Sequence, residues 1–193
     1  MLDSLGSIIL ISLFWLLSVG LVVTAGIGTV IAYELCRRYV LGKDAGPLAV
    51  TKKAWQQSWK QATVVGLIAV VVAGLGILTL SYLPTLGLAN ILVPLLVTGF
   101  FLLILVFWCL PLVARFNNPT RRQLRNGFTL ALTTPSLTFL LGIAALLVGF
   151  ALWNFQPAVF VLPGAILVWW CSLLERFFVN RGYVTPFAEE AAE

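Results

Sequence analysis

The sequence predicts an all-α, polytopic helical membrane protein with about five transmembrane helices, an N-terminus outside and a C-terminus in the cytoplasm. Three observations predict this class. The 193 residues are 61% hydrophobic and 10% charged, whereas an ordinary soluble domain carries roughly 25% charged residues. Apolar runs long enough to cross a ~30 Å hydrocarbon core recur along the chain. The twelve lysines and arginines gather at three places at the ends of these runs, which indicates cytoplasmic turns.

The turn within residues 108–128 sets the topology. A long apolar run ends, four arginines follow within eleven residues, and a second apolar run begins; the four are Arg115, Arg121, Arg122 and Arg125. Charge this dense between two runs of membrane-spanning length indicates a cytoplasmic turn. Once this turn is placed inside, the other spans follow by alternation. The expected spans are residues 5–33, 64–83, 91–112, roughly 128–152 and 158–174, in one domain of residues 1–181 with a short acidic cytoplasmic tail at 182–193.

The first of these runs is longer than one crossing needs, so it must tilt or break. Two interpretations are open for its middle. Gly20, Thr24 and Gly28 recur every four residues and would form a small-residue face for a close helix crossing. Alternatively, the glycines break the helix and the threonine hydroxyls line a polar cavity. Glu34 is expected to pair with Arg38 at the inner membrane edge.

Residues 51–63 form an amphipathic pattern before the second span. Trp55, Trp59 and Ala62 are placed on one face, and lysines with glutamines on the other. The pattern predicts an interfacial helix. It is either a docking surface for a partner or a basic, tryptophan-rich anchor at the headgroups.

Two prolines mark helix boundaries in the second half of the chain. Pro111 is expected to bend or finish the third span. Asn118 and Pro119 start a helix with a basic face of arginines, opposite Leu124, Phe128 and Leu132. The threonines at 129, 133 and 134 with Pro135 predict a kink before the fourth span. Together with the first interfacial helix, this turn is a candidate contact surface for a cytoplasmic partner, comprising Trp55, Trp59, Lys60, Arg115, Phe116, Arg121, Arg122 and Arg125.

Several classes of function are disfavoured by the residues themselves. The chain has no histidine and no Cys-x-x-Cys pair, so we expect no metal site. No acid occurs between Asp44 and Glu175, and no Gly-rich phosphate loop is present, so we expect no enzyme and no cofactor. Because the cations flank membrane-length runs, they indicate orientation and not nucleic-acid binding. The three cysteines are expected to stay reduced.

Short motifs in this order resemble a known family. They are the stretch at 22–29 containing Thr24, Gly26 and Thr29, then Tyr33, Arg38 and the Gly-Lys-Asp at 42–44, the Lys-Gln-Ala at 60–62, the run at 111–116, and the Gln-Leu-Arg-Asn at 123–126. Over roughly residues 8 to 181 the chain resembles the YesL family of small bacterial integral membrane proteins, a domain of unknown function. The chain departs from the pattern of this family at two places. Ala25 and Gly28 alter the stretch around Thr24, and Pro119 interrupts the basic run.

The resemblance implies a multi-pass protein of the bacterial cytoplasmic membrane that is often encoded beside carbohydrate ABC importers. It therefore implies an accessory or regulatory component of such an importer. The implied partners are the lipid bilayer and the permease subunits of a sugar importer, and the protein could also form a homo-oligomer. The motif residues Thr24, Gly26, Thr29 and Tyr33 would provide polar packing. The alternative is a small autonomous transporter or channel for a neutral solute, with a path lined by Thr24, Thr29, Tyr33, Thr129 and Thr133.

Overall fold

The computed structural model describes residues 2–20, 24–40, 47–82, 85, 88–116, 118–155 and 161–183. Every regular element in these ranges is helical. A π-helical turn at Leu105–Cys109 joins the fourth and fifth helices. The helices are α1 Leu2–Gly20, α2 Ala25–Val40, α3 Pro47–Ser81, α4 Leu88–Ile104, α5 Leu110–Arg115, α6 Thr120–Thr133, α7 Pro135–Asn154 and α8 Leu162–Asn180.

Among the described residues, four helical segments are long and apolar enough to cross a membrane. They are Leu48–Ser81, Asn90–Arg115, Pro135–Asn154 and Leu162–Asn180, and Gly6–Trp15 forms a shorter apolar stretch. Large apolar side chains such as Leu146 and Phe150 are exposed on these helices, as lipid-facing side chains are. The expected all-α membrane fold is confirmed.

The first apolar run contains two helices, because α1 ends at Gly20 and α2 begins at Ala25. Gly20, Thr24 and Gly28 therefore do not share one continuous helical face, and the close crossing is made elsewhere. Gly26 packs against Gly66 of α3, where a Cβ on Gly26 would lie 2.9 Å from the Gly66 Cα. Residues 21–23, between the two helices, lie outside the described residues.

The short helix α2 lies at the centre of the bundle. Its eight residues from Gly26 to Tyr33 are all buried, and the helix packs against α1, α3, α5 and α8. At 16 residues it is about 24 Å long. A helix buried on all sides is typical of a core element, and α2 brings its polar side chains into contact with the surrounding helices.

The expected interfacial helix and second span form one helix, α3, of 35 residues. At about 52 Å it exceeds the hydrocarbon thickness, so one end must project beyond it. The predicted tryptophan face is not buried uniformly. Ala62 is fully buried against α2, whereas Trp55 and Trp59, two turns and one turn before it, are 48% and 44% exposed.

Of the two outcomes expected at Pro111, a bend or an end, the end is excluded, because α5 continues past it to Arg115. A π-helical turn immediately precedes the proline, and the Leu110 N–H bonds to the Leu105 carbonyl. The wider turn is a local adjustment of the kind seen where a helix is interrupted. The helix therefore continues, and Arg115 is carried into the bundle.

Helices α7 and α8 have different limits from the expected fourth and fifth spans. The chain breaks at Thr134, whose φ and ψ of −127° and 63° are non-helical, where a kink was predicted, so α7 begins at Pro135. The buried face of α6 consists of Gln123, Gly127 and Ala131, and Leu132, expected opposite the arginines on the apolar face, is 65% exposed.

The last helix, α8, extends to Asn180, beyond the expected end near Leu174. Gly182, two residues beyond its end, has a φ of 69°. The Gly182 N–H bonds to Val179 O, and the Tyr183 N–H bonds to Phe178 O, the geometry that favours glycine after a helix. The predicted tail falls almost entirely on residues 184–193, outside the described residues.

Candidate functional site

A buried carboxylate, that of Glu175, lies where three helices meet. Glu175 is 1% exposed and lies within α8. The Tyr33 hydroxyl of α2 donates a hydrogen bond of 2.9 Å to Glu175 Oε1. The expected last span ended at residue 174, whereas α8 continues past Glu175 to Asn180. The apolar pattern before Glu175 suggested an end, but its partners lie on other helices.

Two arginines complete the cluster around this carboxylate. Arg37 Nε lies 3.6 Å from Glu175 Oε1, and Arg115 Nε lies 3.8 Å from Glu175 Oε2. Both arginine side chains are nearly buried, at 13% and 11% exposed. Since burying an unpaired carboxylate is very costly, opposite charges on two sides are what allow Glu175 to lie here.

Glu34 extends the cluster along α2. Its carboxylate lies 3.7 Å from Arg37 Nη1, so its ion-pair partner is three residues away and not Arg38 as expected. Burial raises the pKa of Glu34 above its ordinary value, and Arg37, Arg38 and Arg115 oppose that shift. Burial is the larger effect, so Glu34 takes up a proton more readily than an exposed glutamate.

A polar cavity of about 190 Å³ adjoins this cluster. It lies between α2, α3 and the end of α5. Five ionisable side chains line it: Glu34, Arg37, Arg38, Lys53 and Arg115. Members of the first two expected cation groups thus converge at one place, and Glu175, next to the third group in sequence, lies beside them.

The motif residues on α2 contact three different neighbours. Gly26 meets α3, and the Thr29 hydroxyl accepts a hydrogen bond of 3.1 Å from Trp15 Nε1 of α1. Tyr33 meets α8 through Glu175 and through the edge-to-face contact with Trp170, whose ring centroid is 5.6 Å away. Thr24 is partly buried in the turn before α2.

The expected partner surface is divided by the structure. Arg115 belongs to the buried cluster, and Phe116 packs edge-to-face on Phe178 with centroids 5.9 Å apart. The remaining members are exposed: Trp55, Trp59, Lys60, Arg121, Arg122 and Arg125. Thr129 and Thr133, proposed for a polar path, are exposed on α6 and bond to carbonyls of their own helix.

Gln123 joins α6 to the rest of the bundle. It is 1% exposed, and its amide nitrogen donates to the Phe116 carbonyl at 2.7 Å and to Gln61 Oε1 at 3.2 Å. Gly127, one turn on, packs directly against Cys109. The exposed arginines of α6 therefore rest on a helix that is held in place on its opposite side.

Sequence reasoning missed Arg37, Lys53 and Glu175 as site residues. Each was interpreted as a membrane-edge charge. The available signal was that Glu175 follows an apolar stretch and is itself followed by Phe177 and Phe178, so its helix stays apolar beyond the acid. Within the part of the chain that the structure describes, no group of three or more histidine, cysteine or acidic side chains could hold a metal ion.

The fold and this cluster define a class: a helical multi-pass membrane protein with a buried ionic cluster at one end of its bundle. Residues 8–82 match the family model described as Protein of unknown function, DUF624. The match covers less than half of the chain and includes α1, α2 and α3, hence Tyr33, Glu34, Arg37 and Lys53, but neither Arg115 nor Glu175. No curated protein and no solved structure matches this chain.

Proposed function

We propose that this protein is a non-catalytic, accessory or regulatory membrane component associated with a carbohydrate ABC importer. The observation that supports a partner role best is the exposed surface of Trp55, Trp59, Arg121, Arg122 and Arg125. Aromatic side chains and arginine are enriched in protein interfaces. This set is hereafter the aromatic–arginine surface.

The association with an importer rests on the resemblance to the YesL family, which we propose for the whole chain. The match of residues 8–82 to a family of unknown function supports that membership over α1 to α3. The location in the bacterial cytoplasmic membrane is part of the same proposal.

The proposed topology has five crossings, with the N-terminus outside and the C-terminus in the cytoplasm. In it, α1 and α2 together make the first crossing. Ile8 and Ser12 of α1 contact Gly164 near the start of α8, whereas Arg37 of α2 meets Glu175, eleven residues or about 16 Å further along α8. Helix α1 therefore lies beside the start of α8, and the end of α2 lies beside its later part. This is the arrangement expected if α1 and α2 together cross the membrane once.

A non-catalytic role is supported by the state of the reactive groups. Cys36, Cys109 and Cys171 are all buried, and burial raises the pKa of Cys36 to about 12. Since the thiolate is the nucleophilic form, such a thiol is unreactive. The buried acid Glu175 is also engaged, because it accepts a hydrogen bond from Tyr33 and lies beside Arg37 and Arg115.

Affinity purification in mild detergent tests the partner role. The wild-type protein is expected to retain the permease subunits of a sugar ABC importer from its own cells. The variant R121E/R122E/R125E should lose most of them, because charge reversal at an exposed interface repels the partner. The matched control R121K/R122K/R125K keeps the charge and should retain binding in large part. Equal recovery with the reversed and the wild-type proteins would exclude this surface.

A second candidate is an autonomous transporter or channel for a neutral solute. The burial of Glu175 among helices supports this candidate, since ionisable residues inside membrane bundles often mark transport pathways. Against it, the hydroxyls of Thr29 and Tyr33 are hydrogen-bonded to Ala25 O and Glu175. Solute flux into liposomes that contain the purified protein alone distinguishes the two functions: flux above that of empty liposomes supports transport.

A further inference from the structure

The cavity beside the ionic cluster has an excess of positive charge. Arg37, Arg38, Lys53 and Arg115 line it together with one acid, Glu34. Counting Glu175 behind the two buried arginines, the site still has two more cations than anions. Charges removed from water are costly unless an opposite charge compensates them, and this excess is concentrated in one small space.

The cavity is large enough to admit a polyatomic anion. Its volume of about 190 Å³ compares with a share of ~30 Å³ per water molecule in the liquid. Lys53 and Gln57 are exposed, so the cavity opens to the surface of the bundle. A ligand can therefore enter without any helix moving.

The donor set fits an oxyanion. Three of the four cations are arginines, whose planar forks match the geometry of phosphate and carboxylate oxygens, and the fourth is a lysine, a common phosphate-binding point charge. Arg37 and Arg115 are held in place by Glu175 at 3.6 and 3.8 Å, so part of the site is already ordered. Ser58 also lines the cavity, where its hydroxyl donates to the Val113 carbonyl at 3.5 Å.

We propose that this cavity binds a phosphate-bearing anion, with Arg37 and Arg115 as the cations already paired with Glu175 and Arg38 and Lys53 as the further cations that contact the anion. The ligand is either the headgroup of an anionic phospholipid or a free phosphorylated solute, since both present the same oxyanion. The site does not depend on the proposed association with an importer, and a failure of one leaves the other intact.

Binding is tested first with inorganic phosphate on the full-length protein in a neutral detergent, by calorimetry at constant ionic strength. Saturable binding is expected for the wild type. The variants K53Q and R38Q should each weaken it about tenfold, or about 1.4 kcal/mol, because each removes one charge-assisted hydrogen bond to the anion. Arg37 and Arg115 are left unchanged because they also pair with Glu175.

The matched control is K52Q, which removes an equally exposed lysine beside the cavity residue and should leave phosphate binding unchanged. Lys52 does not line the cavity. If K52Q and K53Q weaken binding equally, the effect is one of general surface charge and the proposed site is wrong.

A lipid experiment distinguishes the two sources. Nanodiscs that contain phosphatidylglycerol and phosphatidylcholine are prepared with the wild type or R38Q, and the lipid retained after transfer to detergent is measured by mass spectrometry. Retention of phosphatidylglycerol by the wild type and its loss in R38Q assigns the site to a headgroup. Phosphate binding without such retention assigns it to a free solute. The proposal is overturned if the wild-type protein neither binds phosphate nor retains phosphatidylglycerol.

Discussion

Tyr33 and Glu175, separated by 142 positions in sequence, are joined by a buried hydrogen bond of 2.9 Å. The bond connects the central helix α2 to the last helix α8. It does so at the level where Arg37 and Arg115 also approach the carboxylate. Three helices that are distant in the chain are thus held together by one acid.

Removing the carboxylate should cost more than removing its hydrogen-bond donor. E175A leaves two nearly buried arginines beside an uncompensated site, and the loss of one partner from a buried pair costs about 3 to 5 kcal/mol. Y33F removes one buried hydrogen bond and should cost about 1 to 2 kcal/mol. The free energy of unfolding, measured in mixed micelles with increasing SDS, checks both values.

The control for these two variants is Y39F. Tyr39 is 37% exposed on the same helix, and its variant should change the free energy of unfolding by less than about 0.5 kcal/mol. The double variant Y33F/E175A should cost less than the sum of the two single variants, because residues in contact are coupled. Strict additivity would show that the bond does not contribute to stability.

The contact between α2 and α3 should not tolerate a methyl group at Gly26. A Cβ there meets the backbone of Ala62 and Gly66, which cannot rotate away as a side chain can. G26A should therefore destabilise the protein by about 1 to 3 kcal/mol, as overpacking does. Thermal unfolding followed by circular dichroism in detergent measures it.

Gly74 on α3 provides the opposite case. A Cβ at that position meets nothing within 4 Å, and alanine is the better helix former by up to about 1 kcal/mol. G74A should be neutral or stabilising. If G26A and G74A behave alike, the close crossing of α2 and α3 is not a determinant of stability.

Anion affinity at the cavity should increase as the pH falls. Burial raises the pKa of Glu34 despite the opposing arginines, so its carboxylate takes up a proton early and the cavity then loses its negative charge. The charged groups around it are Arg37 and Arg38 on α2, Lys53 on α3, Arg115 on α5 and Glu175 on α8. Sulfate is the suitable probe because it keeps its charge when the pH is lowered.

In E34Q the negative charge is absent at every pH. Sulfate should therefore bind about tenfold more tightly than to the wild type at neutral pH, with little dependence on pH. The contribution of Glu34 to the stability of the fold also decreases as the pH rises. Because the folded-state pKa is raised, the contribution of Glu34 is fully present below its unfolded-state pKa and is lost as the pH rises through the folded-state value. A wild-type affinity that does not change with pH would contradict the role of Glu34.

The apolar runs and the placement of the cations could be interpreted from the sequence because hydropathy and charge act locally. Membership in a helix follows from neighbouring residues, and α3 and α7 lie near their expected positions. The burial of Glu175 could not be inferred, since its partners Tyr33 and Arg115 lie 142 and 60 positions away. A sequence shows an acid near the end of a run, but not which side chains fold onto it.

Pro111 and Thr134 show how far local preference reaches within single helices. A proline predicts a bend or an end, and at Pro111 a π-helical turn precedes the proline while the helix continues to Arg115. The break at Thr134 separates α6 from α7, where the threonines and Pro135 predicted a kink. The position of each irregularity could be predicted from the sequence, but its geometry depends on packing between helices.

The sidedness of the protein can be measured with single cysteines and a membrane-impermeant maleimide. R125C places a thiol on the exposed face of α6, and W153C places one near the end of α7, where Trp153 is 88% exposed. The positive-inside rule places the arginines of α6 in the cytoplasm. We therefore expect intact cells to label W153C and not R125C, and permeabilised cells to label both.

The wild-type protein is the control for this labelling. Its three native cysteines are buried, so its background should be low in both preparations. Labelling of R125C in intact cells, with W153C protected, would reverse the orientation of every span, because the helices alternate from that turn. It would also move the aromatic–arginine surface to the outside of the cell, away from any cytoplasmic partner.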